Sequence, residues 1–298
     1  MLSDSTIDSG NKSPSTPSAD EAPVFSPRGA VKEVKEMLDR CDQRLPERFR
    51  DYLIVNADWA RPTVKLVSQA LDSVRNNVSS SYTYHGIDHT NSVCETVLHL
   101  ADMAGCSFRD MEILWMASAK HDEAFSVKAS KNEPIAANEL AAQMRLEGAY
   151  TEEEIEDAWQ AIVATQMNQN QEGVMVQVPR GRLSPWLLDA DLNNFGTTAF
   201  KKSTELLIQE LFKIHPVEES HFSKDAPQSQ VAKFLGGSLK MMEAHHFQTE
   251  AARALFNDQK EANRRWLADV VKLVGEGNQQ RAFATWQGGP KDCSASIG

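Results

Sequence analysis

The chain has 298 residues, with 31 Lys and Arg against 42 Asp and Glu, a formal net charge of −11. So acidic a balance excludes the basic footprint of a binder of nucleic-acid polymers or of anionic lipid, and leaves any phosphate substrate to be drawn in by a local positive feature. Hydrophobic residues make up 41%, enough for a real core, while no apolar run approaches the roughly 20 residues that span a bilayer.

Residues 1–28 read as a disordered tail. Seven Ser and four Pro fall within residues 1–27, and such a segment buries too little to offset its ordering entropy. Ser13-Pro14, Thr16-Pro17 and Ser26-Pro27 are the pairs a proline-directed kinase would read. Residues 29–287 read as one helical domain, because apolar residues recur at three- and four-residue spacing. Residues 288–298 have the composition of a frayed end. No run of alternating strands and no internal repeat stands out. The fold class expected is all-α.

Within the domain, Val93, Val97, Leu100 and Ala104 form one stripe. Met111, Leu114, Trp115 and Ser118 form the next. Ser107-x-x-Asp110 and Thr151-x-x-Glu154 resemble capping boxes. Ser184-Pro185 reads as an N-cap followed by proline at the first helical position. Residues 166–183 are the longest irregular stretch, of the kind that forms a lid, a substrate loop or a plain connector.

Of the eight histidines, three fall on inward faces beside carboxylates. Three and four residues beyond Ser118 lie His121 and Asp122, on the core side of their helix. Stepping back by four from Val93 reaches His89, and by four again His85, although Gly86 can end the helix first. Leu188, Asp191, Leu192 and Phe195 follow i, i+3, i+4, i+7 spacing, so Asp191 sits inside an apolar stripe. Asp189 falls nearer its edge, where it serves as a helix-start charge. An ionised carboxylate aimed into a core is costly unless paired or bound to metal. The set His85, His89, His121, Asp122 and Asp191 therefore reads either as a divalent metal site or as a buried His–Asp hydrogen-bond network. The mixed nitrogen and oxygen donors suit Mn, Fe, Zn, Mg or Co rather than a thiophilic ion. Four scattered cysteines, Cys41, Cys94, Cys106 and Cys293, suit neither a disulfide framework nor a thiolate zinc site. The compartment expected is cytoplasmic.

Tyr84-His85-Gly86-Ile87-Asp88-His89, His121-Asp122-Glu123-Ala124 and Leu188-Asp189-Ala190-Asp191-Leu192 resemble, in this order, the HD superfamily of metal-dependent phosphohydrolases. The similarity is closest to a branch with Tyr-His-Asn-x-x-His, His-Asp-Ala, an Asn-Glu pair and Leu-Asp-Ala-Asp-Leu. Asn132-Glu133 occupies the interval of that pair, and Arg253–Asn263 resembles the branch's C-terminal helix. The resemblance covers roughly residues 30–275. It implies an all-α HD bundle with His89, His121, Asp122 and Asp191 as ligands to one divalent ion, and His85 as an acid or phosphate-contacting group. Asp122 shares the catalytic role, because a divalent ion so held activates a water against a phosphate ester. Asp189, Glu133, Lys128 and Lys131 are further candidates for supporting the ligands or contacting phosphate. Gly86 stands where the branch has Asn. Residues 164–168 stand where many relatives have a further His, which leaves one metal. The function implied is hydrolysis of a nucleotide or other small phosphate ester. The alternatives are a non-catalytic metal- or nucleotide-binding module and, less favoured, an iron oxygenase on the same fold.

Overall fold

The computed structural model describes residues 28–125, 131–223 and 230–293. The expected tail, with its Ser-Pro and Thr-Pro pairs, lies outside the described residues except for Arg28, which opens the first helix. The chain is all-α. Among the described residues the helices are α1 (Arg28–Cys41), α2 (Glu47–Val55), α3 (Ala57–Asn77), α4 (Ile87–Met103), α5 (Phe108–Lys120), α6 (Asn132–Glu147), α7 (Glu152–Ala164), α8 (Ser184–Asp191), α9 (Phe200–Phe212), α10 (Gln230–Ala244), α11 (Glu250–Gly275) and α12 (Gln279–Gly288). Two 3-10 turns, Asn193–Gly196 and Glu219–Phe222, complete the helical content. Among the described residues, strand structure is confined to a small antiparallel hairpin, β1 (Asn168–Gln169) and β2 (Met175–Val176), with Asn168 opposite Val176. It lies inside the stretch that reads as irregular in sequence. No helix among the described residues is long and apolar enough to cross a membrane.

Local signals place the helix starts. Thr151 and Glu154 form a full capping box at α7, each side chain taking the other's backbone N–H. Ser107 caps α5 by accepting from the Asp110 N–H at 3.1 Å. Ser184 differs from expectation. It is the first residue of α8 rather than its cap, and its hydroxyl accepts from the Arg180 N–H at 2.7 Å. Pro185 still fits, since the first turn of a helix needs no intrahelical donor there.

The core is organised around α5. Every residue from Met111 to Lys120 is buried, so this helix has no solvent face. Helices α3, α4, α6, α7 and α8 pack around it. Its polar residues survive burial by pairing. Glu112 accepts from Thr63 at 2.9 Å and from Arg109 at 2.8 Å, while Lys120 pairs with Glu123. A second core gathers Phe200, Phe222, Trp266 and Trp286 from the C-terminal helices.

The two cores meet where α8 runs into the Asn193–Gly196 turn. Leu187 and Ala190 belong to the first core and Phe195 to the second, with Asp191 between them. Asn263 of α11 holds the turn by donating to the Phe195 and Thr197 carbonyls, both at 2.8 Å. Gly196 is required here, since a Cβ would come within 2.4 Å of Phe256 Cβ. The stretch after Gly288, of frayed composition, is tied down as far as Cys293. Gln259 donates to the Lys291 carbonyl at 3.0 Å and accepts from the Cys293 N–H at 2.7 Å.

Candidate metal centre

Four elements bring the ligand-type side chains together. His89 lies in the first turn of α4, two residues after its start at Ile87. His121 is the C-cap of α5, and Asp122 follows it into a tight turn. Asp191 is the last residue of α8. All four therefore sit at helix ends, where the backbone turns away and side chains from different helices converge. His121 is 1% and Asp122 7% exposed.

The atoms that converge are specific. His89 Nε2 lies 3.1 Å from Asp191 Oδ1, 3.4 Å from His121 Nε2 and 3.5 Å from Asp122 Oδ2. His121 Nε2 is 3.2 Å from Asp122 Oδ2 and 3.4 Å from Asp191 Oδ1. His89, His121 and Asp191 form a group that could hold a metal ion, and Asp122 Oδ2 adjoins it through both imidazoles. Two imidazole nitrogens facing carboxylate oxygens are the donor set of a hard-to-borderline divalent cation.

The outward side of each ligand is also fixed. His121 Nδ1 donates to the Ser118 carbonyl at 2.7 Å, which fixes the ring and leaves Nε2 as the nitrogen that faces the carboxylates. Asn132 donates its amide to Asp122 Oδ1 and to the His121 carbonyl, both at 2.8 Å. Gln177 donates to Asp191 Oδ2 at 2.6 Å and to the Thr165 carbonyl at 2.9 Å. One oxygen of each carboxylate is thus occupied, and the other faces the imidazoles.

Electrostatics follow this geometry. Burial alone would raise Asp122, but the His121 imidazole outweighs it and holds the carboxyl down at about 2. Asp191 is held further below the carboxylate range against the same burial, by its hydrogen bonds to His121 and His89. Burial would lower His121, yet Asp122 and Asp191 raise it well above an ordinary imidazole.

His85 lies just before α4, on the far side of Gly86, which is the helix N-cap. Its Nδ1 is 2.6 Å from Glu210 Oε1, and its ring stacks on Phe125 with centroids 4.2 Å apart. Glu210 Oε2 accepts from the backbone N–H of Tyr84 at 2.9 Å and of His85 at 3.1 Å. Burial works to lower His85, and the Glu210 hydrogen bond together with the charges of Asp122, Glu210 and Asp191 more than offsets it, so its pKa is raised.

Of the remaining candidates, Glu133 lines the cavity at this site, and burial together with Asp122 and Asp191 raises its pKa. Lys131 is exposed, and Lys128 lies outside the described residues. Two cations near these motifs in sequence, Lys120 and Arg182, are engaged elsewhere, Lys120 with Glu123 and Glu139 and Arg182 with Asp110 and Asp157. Asp189 requires a correction. It is 0% exposed, not at an edge, and sits near the end of α8, not its start. Its carboxylate accepts from the backbone N–H groups of Gln248 and Thr249 at 2.6 and 2.7 Å. It thereby serves the start of α11, whose N-cap is Thr249.

Glu210 and Gln177 have no counterpart among the residues singled out by sequence. The only local signal for Glu210 is its place three residues beyond Leu207 on one helix; its burial and Leu207's place in the cavity wall are seen in the structure alone. Gln177, in an irregular segment, carries none. Comparison of the chain with protein-family models, with curated proteins and with solved structures found no match.

Proposed function

We propose that this chain is a metal-dependent phosphohydrolase of the HD type, acting on a small phosphate ester in the cavity at His89, His121, Asp122 and Asp191. The observation that carries the reading is the tethering of both carboxylates. Asn132 occupies Asp122 Oδ1 and Gln177 occupies Asp191 Oδ2, so each acid offers one oxygen. Two monodentate acids and two imidazoles make four protein ligands. Zinc-like four-coordination would then be complete, whereas a six-coordinate ion would keep two positions for water and phosphate. A catalytic site needs open positions, which favours an ion of the larger coordination number.

The bound ion supplies Lewis-acid polarisation of a phosphoryl oxygen and acidification of water. The protein supplies the rest. Asp122 and Asp191 would set the charge of the centre, each held in place by the amide that takes its other oxygen. His85 lines the same cavity. With Nδ1 bound to Glu210, its Nε2 is the nitrogen left to donate a proton to a leaving oxygen, and Glu210 favours the protonated ring that such a donor requires. Tyr84, edge-on to His85, and Phe125, stacked on it, line the same cavity and restrict its ring.

The test is metal analysis of the purified full chain, followed by a screen of the metal-loaded protein against nucleotides and generic phosphate esters. Turnover with near-stoichiometric metal is the expected result. Stoichiometric metal without turnover of any ester would point to a binding module. Iron content accompanied by oxygen consumption would point to an oxygenase.

A further inference from the structure

The cavity at the metal centre measures about 200 Å³, and a second one of about 90 Å³ adjoins it. Gln177, Leu192 and Met241 line both, so these three side chains are the shared wall. The walls of the larger cavity away from the ligands are apolar, contributed by Leu192, Phe195, Leu207, Phe234 and Met241.

Set into these walls are buried polar atoms with no hydrogen-bond partner among the described residues. Asn194 lines the larger cavity, is 7% exposed, and has a buried, unpartnered Oδ1. Gln177 Oε1 is likewise buried and unpartnered. Its amide cannot turn over, because Nε2 is committed to both Asp191 and the Thr165 carbonyl. His245 lines the smaller cavity, between the rings of Phe195 and Phe247, and its Nδ1 is the third such atom. A buried polar atom left unpaired costs about 1–3 kcal/mol, and such atoms are few in native proteins. Three in one pair of adjoining cavities ask for a ligand that brings hydrogen-bonding groups, and Gln177 Oε1, with its amide fixed, asks for a donor.

We infer that Asn194, Gln177 and His245 form the specificity compartment of this site, and that it takes a hydroxyl-bearing alcohol moiety, such as a sugar or small polyol, of the phosphate ester. This rests on the proposed hydrolase reading, whose metal centre would hold the phosphate. The hydroxyls, which both donate and accept, meet the three unpartnered atoms, and the C–H face of the ring lies on Phe195, Phe234 and Met241. An ammonium donor fits less well near His245. Lys260 Nζ bonds to the His245 carbonyl, and a second cation beside it would be repelled.

Calorimetric binding to the manganese-loaded full chain tests this, with four probes: ribose 5-phosphate, tetrahydrofurfuryl phosphate (the same ring without hydroxyls), 2-aminoethyl phosphate and inorganic phosphate. Ribose 5-phosphate is expected to bind at least about tenfold more tightly than tetrahydrofurfuryl phosphate, since a site built to bond a hydroxyl rejects the analogue lacking it. Asn194→Leu and His245→Phe should each shrink that ratio and leave the affinity for inorganic phosphate unchanged. Equal affinity for the two ring phosphates overturns the inference, as does tightest binding of 2-aminoethyl phosphate. Failure of inorganic phosphate to bind counts against the metal-phosphate reading alone. In that case ribose itself decides the compartment. A shift of the His245 Nδ1 nitrogen resonance on adding millimolar ribose upholds it, and an unmoved resonance overturns it.

Discussion

Gln177 holds Asp191 by one carboxylate oxygen, 2.6 Å from its amide nitrogen, while the other oxygen faces His89 at 3.1 Å. A residue of a loop thereby decides which lone pair of a helix-end acid points at the candidate metal. Asn132 does the same for Asp122. Removing the amide while keeping the volume, as in Gln177→Leu, should weaken metal binding by about 10–100-fold, the usual loss for a group that orients a ligand. Titration of the metal-free protein with manganese measures it. Unchanged affinity would show that the tether is incidental.

Asp191 and Asp189, two residues apart, should fail in different ways. Asp191→Asn removes a charged oxygen from the convergence point, so metal retention should be lost. Asp189→Asn sets an amide N–H against the Gln248 and Thr249 N–H groups it now accepts from. That should cost about 1–3 kcal/mol of stability with metal stoichiometry intact. Metal analysis and urea denaturation of the two variants separate the effects. Loss of metal in Asp189→Asn without loss of stability would refute the assignment of Asp189 to the α11 start.

The His85–Glu210 pair sets a pH expectation. Glu210 raises the pKa of His85 against its burial. Glu210→Gln removes the charge, so the protonated imidazole should disappear at lower pH. The alkaline limb of kcat/KM for a phosphate ester should then move to lower pH. Turnover should fall by about 10²-fold or more if the ring is the general acid. Metal content should not change. An unmoved limb would place the acid elsewhere.

His245 makes a stability prediction. Burial, with Lys260 and His246 adding to it, lowers this imidazole from 6.5 to about 3. Between those values the unfolded chain binds a proton that the folded chain refuses, so stability should fall as pH drops below about 6.5. The slope for one such proton approaches about 1.4 kcal/mol per pH unit. Urea midpoints at pH 7 and pH 5 should therefore differ more for the wild type than for His245→Gln, which has nothing to titrate there. Parallel losses in the two proteins would remove His245 as the cause.

The features readable from residue order alone are local and periodic. The all-α class follows from apolar spacing, and the starts of α5 and α7 follow from Ser107 and from the Thr151–Glu154 box, because each depends on residues within one turn of one another. The inward placement of His89 and Asp191 was legible for the same reason, since a residue's face on a helix is fixed by its distance in turns from the apolar stripe. Yet on α5 that stripe is no guide to facing, as every side from Met111 to Lys120 is buried. The partners that set the chemistry belong to the tertiary structure alone. Glu210 reaches His85 across 125 positions, Asp189 reaches Gln248 across 59, and Gln177 reaches Asp191 from an irregular loop. Periodicity reports which side of a helix a residue occupies. Which oxygen of a carboxylate is tethered, and by what, depends on how helices far apart in sequence stack, and no local pattern encodes that.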